Sequence, residues 1–271
     1  MKYLPLFASR ALPVLALAFA AMTFTLAAHA AHEEMMKELT GTGKLRVGVA
    51  AAPFATSLFV TKGSSGEPQG VTVDLGTALA KKLGTPVEFF VAANTGVLTD
   101  ALANGSIDVT FMPVDAEREK RVAFGPKYVL IESTYLATAA SGAKTVEDVD
   151  RSGMRVIGVA NTTTIRAAAR TLKHTTISPM TSIDEAMAAL REGKADAFAL
   201  SRDSLPVYVK QIPGSRIVDG GFQNTGIAIA VPQNRPDALA YVSAFLNDAK
   251  KSGVVRRALD DAGFGDLPVA P

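Results

Sequence analysis

Apolar and polar positions alternate along Lys44-Leu45-Arg46-Val47-Gly48-Val49, a two-residue period that predicts a strand, and the small residues from Ala50 to Pro53 read as the loop after it. The period then changes. Leu75, Leu79 and Leu83 recur at helical spacing, so a helix is expected from Asp74, a residue type that caps helix starts, to Leu83, with Gly84 ending it. The polar stretch from Lys62 to Pro68 reads as a hairpin, and the one from His32 to Gly43 as a loose lead-in. A strand from Val87 to Val91, a helix from Val97 to Ala103 closed by Asn104-Gly105, and a strand from Ile107 to Met112 follow. Strands alternating with helices imply a largely parallel sheet.

The alternation breaks at an extended apolar run, Glu132 to Ala139, and restarts at Met154. From there the pattern predicts a strand over 154–160, a helix over 164–172, a strand near 175, a helix over 183–192 and a strand over 195–200. A second extended run, Gly226 to Pro232, precedes helical stretches from Pro236 to Lys251 and Val254 to Ala262. The expected fold is α/β with two lobes. Lobe 1 is discontinuous, 44–134 with 226–271, lobe 2 covers 139–222, and strands at about 132–139 and 223–232 cross between them. Loops that leave a strand and open a helix present free N–H groups and a positive dipole end, which favour anions. Two facing lobes bring such loops to one cleft.

Composition adds an address. Lys2 and Arg10 flank the start of an apolar run from Ala11 to Ala28, which closes on Ala28-His29-Ala30. Charged start, greasy centre and small-residue site make residues 1–30 a cleavable signal peptide, so the expected location is the periplasm. The chain carries 28 Lys and Arg against 26 Asp and Glu. Both leader cations leave with the leader, and the mature protein is neutral, which gives no reason to expect nucleic acid as partner. With no cysteine, the core alone must hold the fold, and the acceptor for an N-terminal lipid is missing. Beyond residue 43, His174 is the single histidine. A Ser-His-Asp triad or a histidine-rich metal site is hard to build, so no metal and no cofactor are expected.

Several segments, in order and spacing, resemble the periplasmic solute-binding proteins of ATP-binding-cassette (ABC) importers, in the group that carries polar amino acids. They are Gly43 to Gly48, Pro53-Phe54, Gly70 to Leu75, Gly105 to Val109, Glu117-Arg118 through Phe124-Gly125-Pro126 to Tyr128, Gly193 to Ala197, and Gly226-Ile227-Ala228. The resemblance spans nearly all of residues 44–265. It implies a type II clamp with a two-strand hinge, no chemistry of its own, a monomer that closes on a small carboxylate-bearing solute and hands it to an inner-membrane permease.

The contacts that the resemblance implies are only partly present. Phe54 belongs to the matching Pro-Phe pair, but the stacking aromatic three residues before it is replaced by Ala51. Arg118 stands where the family grips a carboxylate, and its planar fork suits that task. Five residues earlier, where the family has Ser or Thr, stands Pro113. Asp115 takes a helix-capping position. In lobe 2, Asn161-Thr162-Thr163 matches a turn that binds carboxylate at a helix start, with Thr163 at a usual contact. Ser201 replaces the acidic partner of the ligand's ammonium, and Asp203, two residues on, substitutes for it if its loop turns inward. These departures favour an anionic ligand. The alternative is a periplasmic dehydratase of the cyclohexadienyl or arogenate type on the same scaffold, with Glu132, Asp115 and Asp203 as candidate acids.

Overall fold

A computed structural model describes residues 32–50 and 56–271; the segment read as a leader, the loop Ala51 to Pro53 and Phe54 lie outside the described residues. Lobe 1 opens with helix α1 (residues 32–40), where the sequence reading has a loose polar stretch. Met35 and Leu39, four residues apart, share one face and are buried in the lobe's core, and that burial makes the segment helical. The chain continues through β1 (Leu45–Ala50), the hairpin β2 (Thr61–Lys62) and β3 (Pro68–Gln69), α2 (Val71–Leu83), β4 (Val87–Ala92), α3 (Thr95–Ala103), β5 (Val109–Pro113) and α4 (Ala116–Glu119). Strand β6 (Val122–Ala137) then leads to a 3-10 turn (Ala139–Ser141), α5 (Val146–Val149), β7 (Val156–Val159), α6 (Thr163–Thr171), β8 (Ile177–Met180), α7 (Ile183–Arg191), β9 (Ala197–Ser201), α8 (Leu205–Val209) and β10 (Arg216–Ile217). The chain returns through β11 (Gln223–Pro232) and ends with α9 (Pro236–Lys251) and α10 (Val254–Asp261).

One sheet runs through both lobes in the order β4-β1-β5-β11-β6-β9-β7-β8. At each end lie three parallel strands, β4-β1-β5 and β9-β7-β8. The two central strands are antiparallel to their neighbours. Strand β6 pairs with β11 from Val122 to Ser133 and with β9 from Ser133 to Ala137, so its partner changes at Ser133. The core changes there too. Tyr128, Val129 and Ile131 pack with α2 and α9, whereas Tyr135 and Leu136 pack among residues of the second α/β unit.

The same clamp recurs in both lobes. Asp108, just before β5, accepts from Arg46 Nε at 2.9 Å, Nη2 at 2.6 Å and the Arg46 backbone N–H at 3.0 Å, and Arg235 adds a bond at 3.0 Å. Asp196, just before β9, holds Arg155 through Nε at 2.9 Å, Nη2 at 2.7 Å and the backbone N–H at 2.9 Å. Each aspartate ties the start of its strand to the neighbouring parallel strand, and the bidentate fork sets the register.

Two helix starts differ from the sequence reading. Helix α2 begins at Val71, capped by Gly70 at φ 134°, not at Asp74. A Cβ on residue 70 would lie 2.6 Å from the Phe59 carbonyl oxygen, so only glycine permits this entry. Asp74 lies in the first turn instead, and Gly84 ends the helix at φ 67° as expected. Helix α3 starts at Thr95, two residues earlier than expected, because Asn94 Oδ1 accepts from the N–H groups of Gly96 at 2.9 Å and Val97 at 3.1 Å. The strand expected near 175 is β8, which begins at Ile177.

Candidate functional site

Arg118 lies on α4, a single turn whose neighbours Glu117, Glu119, Lys120 and Arg121 are exposed, yet it is itself only 3 % exposed. The turn starts at Asp115, whose carboxylate accepts from the Glu117 N–H at 3.1 Å, so Asp115 is the expected cap. The inward-facing guanidinium donates from Nη1 to the Pro113 carbonyl at 2.9 Å and from Nη2 to Thr95 Oγ1 at 2.7 Å. Pro113 therefore contributes the one polar group it has, its carbonyl. Burial pushes Arg118 down to about 10, repulsion from Arg166 adds to this and Asp115 opposes it, so the group remains a cation at neutral pH. Thr95 went unmatched in the sequence reading. Its signal lay in Asn94, a strong cap that puts Thr95 first in α3.

On the opposite lobe, β7 runs into Asn161, which has φ 60° and is the one non-glycine residue with positive φ among the described residues. Asparagine tolerates this conformation better than most residues. The turn lets Thr162 cap α6, its hydroxyl accepting from the Ile165 N–H at 3.2 Å and donating to the Val159 carbonyl at 2.8 Å. Thr162 is thus satisfied internally. Thr163 is buried, and its hydroxyl has no protein partner. A buried hydroxyl at a helix start, beside free backbone N–H groups, is suited to an anionic oxygen.

Arg118 and Asn161 line the same cleft, about 440 Å³ in volume, together with Asn94, Gly96 and Arg166. Arg166, from the first turn of α6, reaches across to Asp115 with Nε at 3.1 Å and Nη2 at 2.9 Å. Burial alone would raise the Asp115 pKa, but the bond and charge of Arg166, with the charge of Arg118, hold it below the usual aspartate value.

Ser201 is fully buried, and its hydroxyl lies 3.0 Å from Ser204 Oγ. Asp203 turns inward. Its Oδ2 takes hydrogen bonds from Ser204 Oγ at 3.3 Å and from Thr56 Oγ1 of lobe 1 at 3.5 Å, while Oδ1 is buried without a partner. Burial raises the Asp203 pKa above the ordinary aspartate value. The two other candidate acids are occupied: Asp115 by Arg166, and Glu132 by Arg202. Among the described residues no group of three or more acidic or histidine side chains is placed to hold a metal.

Two α/β lobes on one sheet, with a buried cation on one side of a cleft and a helix start on the other, make a clamp for a small polar molecule. Residues 45–262 match the model of the bacterial extracellular solute-binding proteins, family 3, and the chain belongs to that family. It is 28 % identical over 192 residues to the glutamine-binding protein of Geobacillus stearothermophilus, covering 69 % of this chain and 72 % of that one. Among solved structures, a variant of ArgBP from T. maritima superposes with a TM-score of 0.72 at 25 % identity, covering 84 % of this chain and 99 % of that one. AncCDT-1, an ancestral amino acid-binding protein described as a precursor of cyclohexadienyl dehydratase, superposes at 0.70 with 28 % identity, covering 83 % and 98 %. The expected family and two-lobed fold therefore hold, and by family the chain is a solute-binding protein. No helix among the described residues is long and apolar enough to cross a membrane.

Proposed function

We propose that this protein is the periplasmic binding component of an ABC importer and that it captures a small amino acid-like carboxylate between its lobes. The observation that carries this reading is a buried Arg118 in the same cleft as the start of α6, where the Thr163 hydroxyl lacks a partner. Arg118 and the first turn of α6, entered through Asn161 and Thr162, would hold the carboxylate. Asp203 would take an ammonium group, which supplies the negative charge missing at Ser201. Pro113 acts through its bond to Arg118 and not by touching the ligand. The lobes would be 44–134 with 226–271, and 139–222, swinging about strands near 132–139 and 223–232. The leader at residues 1–30 would export the protein, a monomer, to meet its permease.

A thermal-shift screen of L-glutamine, L-arginine, other amino acids and aromatic or aliphatic acids tests this, because a ligand at a hundred times its dissociation constant adds about 2.7 kcal/mol to stability. The expected result is a shift by at least one amino-bearing carboxylate that is lost in Arg118→Ala. A shift by such a ligand that survives this substitution would refute the assignment of Arg118.

A further inference from the structure

Among the described residues, the carboxylate whose charge acts on Arg118 is the protein's own Asp115. Asp115 lies three residues before Arg118 on the same turn and is almost fully shielded from solvent. Left alone, it would compete with any incoming carboxylate for the same guanidinium. In the structure it does not, because Arg166 of the other lobe binds it side-on through Nε and Nη2 while Asp115 Oδ1 also takes the Glu117 N–H. Arg118 keeps only neutral partners, the Pro113 carbonyl and Thr95 Oγ1. The three charged groups are stacked across the lobe boundary as two cations and one anion, which leaves one positive charge for a ligand.

The Asp115–Arg166 pair exists only while the lobes meet, since the partners lie on α4 and α6 of different lobes. We propose that Arg166 is a closure-dependent positioning residue: as the lobes close it takes Asp115 away from Arg118 and leaves that guanidinium to the ligand's carboxylate. Closure then strengthens the grip as well as covering it, and an uncharged ligand gains nothing from the exchange. The two helix starts come close here, and the lack of a side chain at Gly96 of α3 makes room for it, since a Cβ there would lie 3.3 Å from the Asn161 Cβ.

The inference rests on the binding reading above, and its test separates the two. Isothermal calorimetry with L-glutamine and L-arginine as probes would compare the wild type, Arg166→Gln, Asp115→Asn and the double variant; asparagine preserves the cap. Arg166→Gln should weaken binding about tenfold, and removing the competing charge as well should recover most of the loss, to within about threefold of Asp115→Asn alone. A double variant as weak as Arg166→Gln, or an Arg166→Gln variant with unchanged affinity, would overturn the proposal. A second arm needs no ligand. The cysteine-free chain accepts a dye pair at Lys81→Cys and Lys173→Cys, both exposed and on different lobes. Energy transfer should report a closed population that falls between about 0.05 and 0.5 M salt in the wild type and is lower and insensitive to salt in Arg166→Gln. The same salt response in both proteins would overturn the proposal even if neither probe binds, whereas failure of both probes alongside the expected salt response would count against the choice of ligand class alone.

Discussion

Arg118 Nη2 donates to Thr95 Oγ1 at 2.7 Å across the space between α4 and α3, and this bond decides where the cleft's buried cation points. A guanidinium has five donors and no acceptor, so each neutral oxygen that engages it fixes the plane in which the others lie. Thr95→Val keeps the shape and removes that oxygen. Leaving a buried donor unpaired costs about 1–3 kcal/mol, and more when it is charged, so this variant should lose melting temperature and bind its ligand more weakly, whereas Thr95→Ser should retain both. Calorimetry and thermal melting on the three proteins check this.

Asp203 gives a pH signature of unusual sign. Its pKa is raised by burial in the folded protein, so the folded state holds the proton more tightly than the unfolded chain. In the ligand-free protein, ionised Asp203 therefore opposes folding at neutral pH, and this cost fades as pH falls through the raised value toward the ordinary aspartate range. Asp203→Asn should melt higher than the wild type at pH 7, with the gap closing toward about pH 4. The same substitution should weaken binding of any ammonium-bearing ligand. A gap that widens on acidification would refute the assignment.

The two strand clamps should not be equal. The carboxylate of Asp108 is 4 % exposed and bound by two arginines, whereas Arg155 on Asp196 is 52 % exposed. Asp108→Asn leaves Arg46 and Arg235 without their charge partner and should cost about 3–5 kcal/mol. Breaking the more solvated pair by Asp196→Asn should cost clearly less, because water takes over the exposed Arg155 guanidinium and mainly the bond to the Arg155 backbone N–H is weakened. Urea unfolding of both variants measures the difference, and neither should alter ligand specificity.

Asn161 holds a left-handed turn that most side chains avoid. Asn161→Gly should fold with equal or better stability, while Asn161→Val should cost about 1–2 kcal/mol in backbone strain. If the side chain also meets the ligand, Asn161→Gly lowers affinity at unchanged melting temperature, which separates its two roles.

Most of the architecture was legible because it rests on local period. Leu75, Leu79 and Leu83 announce α2, and Gly84 ends it where glycine must. The misreadings came where a non-local partner outweighs local pattern. Residues 32–40 are polar enough to read as loop, but Met35 and Leu39 find a core to enter. Strand β6 runs to sixteen residues because β11 pairs with it up to Ser133 and β9, with β10 on its other side, pairs with its end. In the site, the cap at Asp115 was readable from residue type, since a cap acts over two or three residues.

By itself, then, the sequence determined the alternation of strand and helix, the two-lobed family and the cap at Asp115, and it singled out Arg118 as the candidate cation. Tertiary structure decided which polar groups are spent and which are left over. Thr162 is satisfied and Thr163 is not, Ser201 is closed off by Ser204 while Asp203 faces Thr56, and Arg166 meets Asp115. For Asp203 and Asp115 the physical reason is that cross-lobe pairing joins residues about fifty to a hundred and fifty positions apart, and no local period records where those meet.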